Sequence, residues 1–298
     1  MSILVTGASG FLGKKLLRRL VANKKKVIAI DTKKPKSSFY NNPNIKWILC
    51  NLVDDVIDIK NLKDLEAVVH LAGATLGAGE DESLFLAANE ATTVKLMQAT
   101  AKRCKKFILA SSQVVYGDIE NINVLETLPL IENHSAYGCS KLNTENWMRW
   151  FHSNAGGNYI FLRFCGFIDG RGIIDYMVDQ AIKNKPIELF SKGKICRDYL
   201  PSKNGIDAII KAIESDLRDG VFEINIGSGQ SIPSYKLAKI ICSEINSSSK
   251  IVLSDKPAPQ SSFVYSVDKA KKILNFEPNN LTESVRYYAK ERKNQENT

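Results

Sequence analysis

The chain opens on an apolar run that ends in Thr6-Gly7-Ala8-Ser9-Gly10-Phe11-Leu12-Gly13, and the reading of this stretch decides the fold. Ile3–Val5 is short and apolar, the pattern of a buried strand. Gly13–Ala22 carries a helical pattern that Phe11-Leu12 enters. Between them, glycines at 7, 10 and 13 give G-x-x-G-x-x-G in a strand-to-helix turn. Glycine there lets backbone N–H groups approach a pyrophosphate, and a helix N-terminus adds partial positive charge. Tight turns use glycine anyway, so the next element has to agree. Val27–Ile30 reads as a second strand and is followed at once by Asp31. An acid at that place bonds ribose hydroxyls and repels a 2′-phosphate, which favours NAD over NADP. Lys33 and Lys34 lie close enough to blunt the preference.

Outward from this turn the alternation continues. Trp47–Leu49, Ala67–Leu71 and Lys106–Ala110 read as buried strands, and Ile59–Leu65 and Ser83–Arg103 as helices. Strand–helix alternation of this kind implies right-handed crossovers and a parallel sheet with helices on both faces. Further on, Tyr159–Phe164 and Phe222–Ile226 read as strands; Ile174–Lys185, Ser234–Glu244, Lys269–Leu274 and Leu281–Lys290 read as helices. Glycine and proline punctuation thickens after Gly166. The expectation is an α/β fold, a Rossmann-type doubly wound parallel sheet over 1–165 to which 200–230 returns. A smaller C-terminal substrate-binding lobe is expected over 166–290 and a frayed polar tail over 291–298.

With 298 residues, 44% hydrophobic and 24% charged, the chain is long enough for a full core and has the balance of an ordinary globular protein. No run approaches the roughly 18–20 apolar residues of a membrane span. A strand beginning at Ile3 leaves no room for a signal peptide, so a cytoplasmic location is expected. The six cysteines include no C-x-x-C pair, which points to reduced thiols and to no metal site. The net charge of +9 is spread over helix faces without interleaved aromatics, which reads as solvated surface rather than a nucleic-acid site. An anionic small molecule is an equally good recipient of that charge.

Two more segments carry chemistry. Ser111-Ser112-Gln113-Val114-Val115-Tyr116-Gly117 is an apolar run interrupted by hydroxyls, and Tyr137-Gly138-Cys139-Ser140-Lys141 puts a phenol and an ammonium one helical turn apart, on one face. Tyr-x-x-x-Lys alone is common on helices by chance. Beside the glycine turn and a serine-bearing strand end it reads as a set for hydride chemistry on an alcohol or ketone. Tyr137 is the candidate general base and acid. A free tyrosine, with pKa near about 10, is too weakly acidic for that work. Lys141 and a positive nicotinamide are expected to lower it.

Further matches are His70-Leu71-Ala72-Gly73, Asn89, Leu162-Arg163-Phe164, Arg197-Asp198-Tyr199, Asn225-x-Gly227-Ser228-Gly229 and Lys269-Ala270-Lys271-Lys272-Ile273-Leu274-x-Phe276-x-Pro278. With these the chain resembles the extended short-chain dehydrogenase/reductases, in particular the nucleotide-sugar epimerases. The resemblance implies Ser112, Tyr137 and Lys141 as catalytic residues. It implies cofactor contacts from Gly7, Ser9, Gly10, Phe11, Leu12, Asp31, Thr32, Asn51, Leu52, Leu71, Ala72, Gly73, Asn89, Tyr137, Lys141 and Phe164, with Phe167 beside Phe164 at the nicotinamide. Substrate contacts fall on Ser112, Gln113, Gly166 and Arg197. A homodimer is implied through two long helices, here Ser83–Arg103 and Ser135–Phe151. The activity implied is NAD-dependent 4-epimerisation of a nucleotide sugar. The rival reading is an NAD(P)H-dependent 4-keto-reductase, and a reading of another class is a non-catalytic NAD(H)-binding protein. The complete Ser112/Tyr137/Lys141 set speaks against the last.

Four departures from the family pattern concern the ligands. Asn51 stands where the family has aspartate near the adenine, and Gly166 stands where it has a substrate-gripping asparagine. Pro201-Ser202-Lys203-Asn204 replaces Val-Asp-Asp, and the late arginine is missing around 257–265. Arg197 remains as a clamp for a diphosphate, a role suited to guanidinium, with Lys192 and Lys194 near it in sequence. After Ser112 comes Gln113-Val114 rather than the Asp-Glu pair of the sugar 4,6-dehydratases, so dehydration is disfavoured.

Overall fold

The computed structural model describes residues 1–55, 65–75, 81–100, 103–130, 135–170 and 172–296. Strands β1 (Ser2–Thr6), β2 (Lys26–Asp31), β3 (Ile45–Leu49), β4 (Leu65–His70), β5 (Phe107–Ser112), β6 (Asn158–Phe164) and β7 (Gly220–Ile226) make a seven-stranded sheet. Its order is β7-β6-β5-β4-β1-β2-β3. The pairs β1–β2, β2–β3, β1–β4 and β4–β5 are parallel. The chain therefore builds outward from β1 to one edge, returns, and builds outward on the other side from β4. This is the doubly wound order, and its switch point lies between β1 and β4, where such folds bind ligands at the strands' carboxyl ends.

The strands are apolar because both faces of the sheet are covered. Ile3, Leu4 and Val5 have no exposed surface. Leu4, Ile30, Val68, Leu96, Met97 and Phe161 belong to one apolar cluster. Helix α1 (Phe11–Ala22) buries Gly13, Leu16, Leu17 and Leu20, one stripe at helical spacing.

Two expected helices differ. The expected Ile59–Leu65 helix lies outside the described residues except for Leu65, which opens β4. Ser83–Arg103 is not one regular helix: α2 (Glu82–Phe85) passes into a π-helix over Leu86–Ala91 and then into α3 (Thr92–Thr100). A π segment widens the turn and rotates the side chains it carries, and it is common at functional sites. Here it carries Asn89, which is 2% exposed. Helix α4 (Ala136–Ala155) starts where Ser135 Oγ accepts the Gly138 N–H at 2.9 Å and stops at Gly156, whose φ is 65°.

The chain forms two compact units. The first comprises 1–117, 129–163 and 206–224; the second comprises 118–128, 164–205 and 225–298. In the second, helices Ile173–Ile182, Ser234–Glu244 and Leu281–Glu296 share an apolar core that includes Met177, Val178, Leu237, Ile241 and Val285. The expected frayed tail is helical through Glu296. Arg292 anchors it to Asp175 and, at 2.6 Å, to Asp179, and Lys293 Nζ donates to Ile245 O. These partners come from distant parts of the chain, so local composition gave no sign of them. Among the described residues no helix is long and apolar enough to cross a membrane.

Candidate active site

The three glycines after β1 do three different things. Gly7 has φ +64°, and a Cβ on it would lie 2.7 Å from Ala72 N, so β1 and β4 can close together only over glycine. A Cβ on Gly13 would lie 2.1 Å from Gly7 O, which seats α1 against the turn. Among the described residues the only close neighbour of a Cβ at Gly10 is Gly7 O at 3.0 Å, and Gly10 is exposed, which leaves room for a ligand. Gly10 is also the N-cap of α1, and no side chain caps the helix start. An anion is the natural partner of such an end.

The Asp31 carboxylate is fixed at the end of β2. Its Oδ2 accepts the Ser9 N–H at 2.8 Å and its Oδ1 accepts the Thr32 N–H at 2.7 Å. Ser9 Oγ donates to Lys33 O. Cys50 N–H bonds Asp31 O at 3.0 Å, which carries Asn51 and the buried Leu52 to the same strand end. The Asn51 amide is engaged at both ends: Nδ2 donates to Asp54 Oδ2 at 2.6 Å and Oδ1 accepts from Val53 N at 3.2 Å.

Past β4, a buried hydrogen-bond chain organises Leu71, Ala72 and Gly73. Thr93 Oγ1 donates to Asn89 O at 2.6 Å, so it accepts from His70 Nε2 at 2.9 Å. That leaves His70 Nδ1 as the acceptor for Thr6 Oγ1, 2.6 Å away, which itself accepts the Ala72 N–H at 3.2 Å. His70 is thus a neutral, structural imidazole; burial pushes its pKa down to about 3, with the Lys141 charge adding to the effect. Asn89 Nδ2 donates to Ser140 Oγ at 2.8 Å and to Ala74 O at 3.3 Å. Its buried Oδ1 has no hydrogen-bond partner among the described residues. A Cβ on Gly73 would sit 2.4 Å from that oxygen and 3.8 Å from Lys141 Nζ. An acceptor, an ammonium and a bare backbone meet there.

The Ser/Tyr/Lys set comes together in the first unit. β5 ends at Ser112, and a 3₁₀ turn over Gln113–Tyr116 follows it. Ser112 lies near enough to the Tyr137 phenol to favour its ionised form. Lys141 Nζ stands 5.9 Å from the Tyr137 ring centre and donates to Ala110 O at 3.2 Å. Phe85 packs on the same ring at 5.7 Å between centroids. Burial pulls the Lys141 ammonium down to about 8, opposed by the charge of Glu145. The lowering expected of the phenol involves the positive nicotinamide as well as Lys141, and the protein's own groups do not supply it. Burial raises the Tyr137 pKa and the nearby Ser112 only partly offsets it.

Sequence reasoning missed three polar residues around this set. Ser140 Oγ accepts from Asn89 and donates to Tyr137 O at 2.8 Å. Glu145 and Arg163 form a buried pair below Lys141, with Nη2–Oε2 at 2.7 Å. Arg163 had been read only as part of a motif. A glutamate one turn past Lys141 was the available signal for the pair.

The second unit holds Gly166, Phe164 and Arg197. Gly166 pairs with Tyr199, and a Cβ on it would lie 3.0 Å from Tyr199 Cδ1. The ring of Tyr199 thus fills the space that a larger residue at 166 would use. Phe164 packs on Phe167 with centroids 5.5 Å apart. Arg197 is partly buried, stacks on Phe263 at 5.3 Å and gives one bond, 2.8 Å, to Ser261 O. It makes no ion pair among the described residues. Next to it, Asp198 is locked by Ser228 N and Oγ at 2.7 Å each, Gly229 N at 3.1 Å and Tyr265 N at 3.2 Å. This explains why Arg-Asp-Tyr and Asn-x-Gly-Ser-Gly occur together. Arg197 borders a cavity of about 320 Å³ whose walls include Ile173, Tyr176, Phe190, Tyr199 and Pro259.

The doubly wound sheet, the glycine turn and the Ser/Tyr/Lys set define a nucleotide-dependent oxidoreductase of the extended short-chain type. The chain belongs to the NAD dependent epimerase/dehydratase family, whose model matches residues 3–227. It is 26% identical over 276 residues to a dTDP-4-dehydro-6-deoxyglucose reductase of Escherichia coli, spanning 85% of this chain and 84% of the relative. The UDP-glucuronic acid 4-epimerase of Bacillus cereus, solved with UDP-glucuronic acid and NAD, superposes with a TM-score of 0.83 at 25% identity, over 98% and 99% of the two chains. A UDP-N-acetylglucosamine 4-epimerase of Methanobrevibacter ruminantium superposes with a TM-score of 0.83 at 26% identity, over 99% and 98%. NAD is the family's cofactor, and the open Gly10, the uncapped start of α1, the fixed Asp31 and the unpartnered Asn89 Oδ1 fit it.

Proposed function

We propose that this chain is an NAD-dependent nucleotide-sugar epimerase of the 4-epimerase type. One observation carries the reading: Ser112, Tyr137 and Lys141 are assembled in the same unit as the glycine turn. Tyr137 Oη takes the proton of the sugar's C4 hydroxyl and later returns it, while Ser112 bonds the same oxygen. NAD, when bound, would supply the hydride acceptor and donor, and return of hydride to the other face would invert C4. Burial holds the free phenol in its protonated form. Ionisation of Tyr137 therefore depends on positive charge, from Lys141 and from the oxidised cofactor. Asp31, Ser9 and Thr32 hold the adenosine ribose, Asn51 and Leu52 the adenine side, and Gly73, Asn89 and Lys141 the nicotinamide ribose side.

In the second unit, Arg197 takes the substrate diphosphate, because its guanidinium feels Asp118 only at a distance and keeps donors free for bidentate contact with an anion. The aromatic and apolar walls of its cavity suit a nucleoside. Gln113, whose buried Oε1 has no partner among the described residues, takes a polar hydrogen of the sugar. The homodimer forms through α2, the π segment and α4, where Leu84, Leu86, Trp147 and Trp150 are exposed. The six free cysteines suit a cytoplasmic location.

A 4-keto-reductase is the second reading, favoured by the likeness to the E. coli reductase. The two differ in what happens to the cofactor. An epimerase regenerates it at every turnover and need not release it; a reductase must exchange it. The test is to dialyse purified protein exhaustively, denature it, and identify and count the released nicotinamide. Near one NAD per chain is the expected result. An empty protein that oxidises NADH or NADPH only with a keto-sugar would establish the reductase. An empty protein with affinity for neither cofactor would overturn both.

A further inference from the structure

Glu145 lies one turn beyond Lys141 on α4 and has no exposed surface. Its carboxylate collects four donors. Arg163 grips it from β6 with Nε–Oε1 at 3.0 Å and Nη2–Oε2 at 2.7 Å. Ser111 Oγ donates to Oε1 at 2.6 Å, and Arg149 Nη2 donates to Oε2 at 3.2 Å. The remaining arm of Arg163 donates to Tyr116 Oη at 2.8 Å. Two of the attachment points adjoin the candidate catalytic set. Ser111 precedes Ser112, and Tyr116 closes the turn that begins at Gln113.

A buried ion pair is a poor way to gain stability. Desolvating two charges costs several kcal/mol, and an apolar pair of the same volume often does as well or better. The charge should therefore serve a purpose that packing cannot. Lys141 supplies one: its ammonium is buried, and its hydrogen bond goes to a carbonyl, Ala110 O. The ionisable groups that act on it or face it are Glu145, one turn along α4, Tyr137 on the same helix and His70 on β4. His70 is neutral and the Tyr137 phenol is protonated, so Glu145 is the negative charge among them.

We propose that Glu145 is a positioning residue: clamped by Arg163, it ties the strand end presenting Ser112 to the helix presenting Tyr137 and Lys141, and it supplies the negative charge that Lys141 faces. The proposal rests on the hydride-transfer reading of that set. Loss of the charge leaves Lys141 neutral at lower pH, and with it goes the positive charge that Tyr137 needs.

The test uses protein labelled with ¹³C at the lysine ε-carbons. The Lys141 signal, identified by its loss in Lys141→Arg, is titrated by NMR with no substrate added. In Glu145→Gln the midpoint is expected to fall by about one pH unit or more, the size of shift a nearby opposite charge produces. In Glu145→Asp, which keeps the charge, it stays close to that of the native protein. An unchanged midpoint in folded Glu145→Gln overturns the proposal. Should Glu145→Gln fail to fold because Arg163 is left alone, the apolar pair Glu145→Leu/Arg163→Met is compared with Arg163→Met, so that the two differ only at the carboxylate; the midpoint is expected to be lower in the pair, and equal midpoints overturn the proposal. Under turnover, the alkaline limb of the rate profile should move with the midpoint, whereas a purely structural role lowers the rate equally at every pH. Failure to turn over any nucleotide sugar would defeat the functional reading alone, because the titration requires no activity.

Discussion

Two arginines in this molecule are held in opposite ways. Arg163, in the first unit, is 1% exposed and fully paired: the Glu145 carboxylate takes two of its bonds, Tyr116 takes a third, and the pairing raises its pKa. Arg197, in the second, is partly buried beside a cavity, bonds one carbonyl and has its pKa lowered by burial. A guanidinium does not lose its proton in either place. The difference therefore lies in what neutralises it. In the first unit the protein provides the counter-charge itself, and the arginine belongs to the scaffold. In the second no carboxylate pairs with the guanidinium among the described residues; Asp118 reaches it only through its field, which leaves the donors of Arg197 open to an anion.

That contrast can be broken by the same substitution at both sites. Arg163→Met should destabilise the protein by about 3–5 kcal/mol, because it strands a buried carboxylate; urea denaturation measures it, and a cost under about 1 kcal/mol would mean the pair is no scaffold. Arg197→Met should leave the urea midpoint nearly unchanged. Its effect should appear in ligand affinity instead. Uridine diphosphate is a suitable probe, and calorimetry should show binding weakened about 10- to 100-fold, the value of charged hydrogen bonds lost on one partner. If the two variants behave alike, in either assay, the distinction between scaffold and binding arginine fails.

The same contrast separates what could be read in the sequence from what could not. The turn at Gly7–Gly13 and the acid at Asp31 were legible because each residue there answers to a local steric or electrostatic demand. Tyr137 and Lys141 share one face of α4, as their spacing predicts, and Ser112 lies near the Tyr137 phenol. Arg197 stood out as a residue type, although its lack of an ion-pair partner among the described residues did not. Glu145 was not legible as a site residue, since Ser111, Arg163 and Tyr116 reach it or each other across 34, 18 and 47 positions. The π-helix at Leu86–Ala91 was hidden for another reason: apolar periodicity over 83–103 does not register one widened turn. Nor was the burial of the Tyr137 phenol, which raises its pKa, legible, because it depends on tertiary packing such as that of Phe85 on its ring.

Lys141 sharpens the comparison at its smallest scale, as a buried cation with a carboxylate in its field but none in contact. Its pKa in the folded protein, about 8, lies below the ordinary lysine value of 10.5. Between those values the unfolded chain binds more protons than the folded one, so stability rises with pH across that window. Below pH 8 the cost of burying the charge is present in full. Lys141→Met should therefore raise the stability of the protein at pH 7 by about 2 kcal/mol, net of about 1 kcal/mol for the lost bond to Ala110 O. The gain should shrink as the pH rises past 8 and turn into a small loss by 10.5, where only the missing bond is left, while activity is lost throughout. Thermal melts of both proteins across that range would decide it. A gain that does not depend on pH would mean that methionine merely packs better, and a loss of stability at pH 7 would mean that Glu145 already compensates the ammonium as fully as it compensates Arg163. A stability gain that removes activity is what a site strained for function predicts, and it would place Lys141 with Arg197 rather than with Arg163.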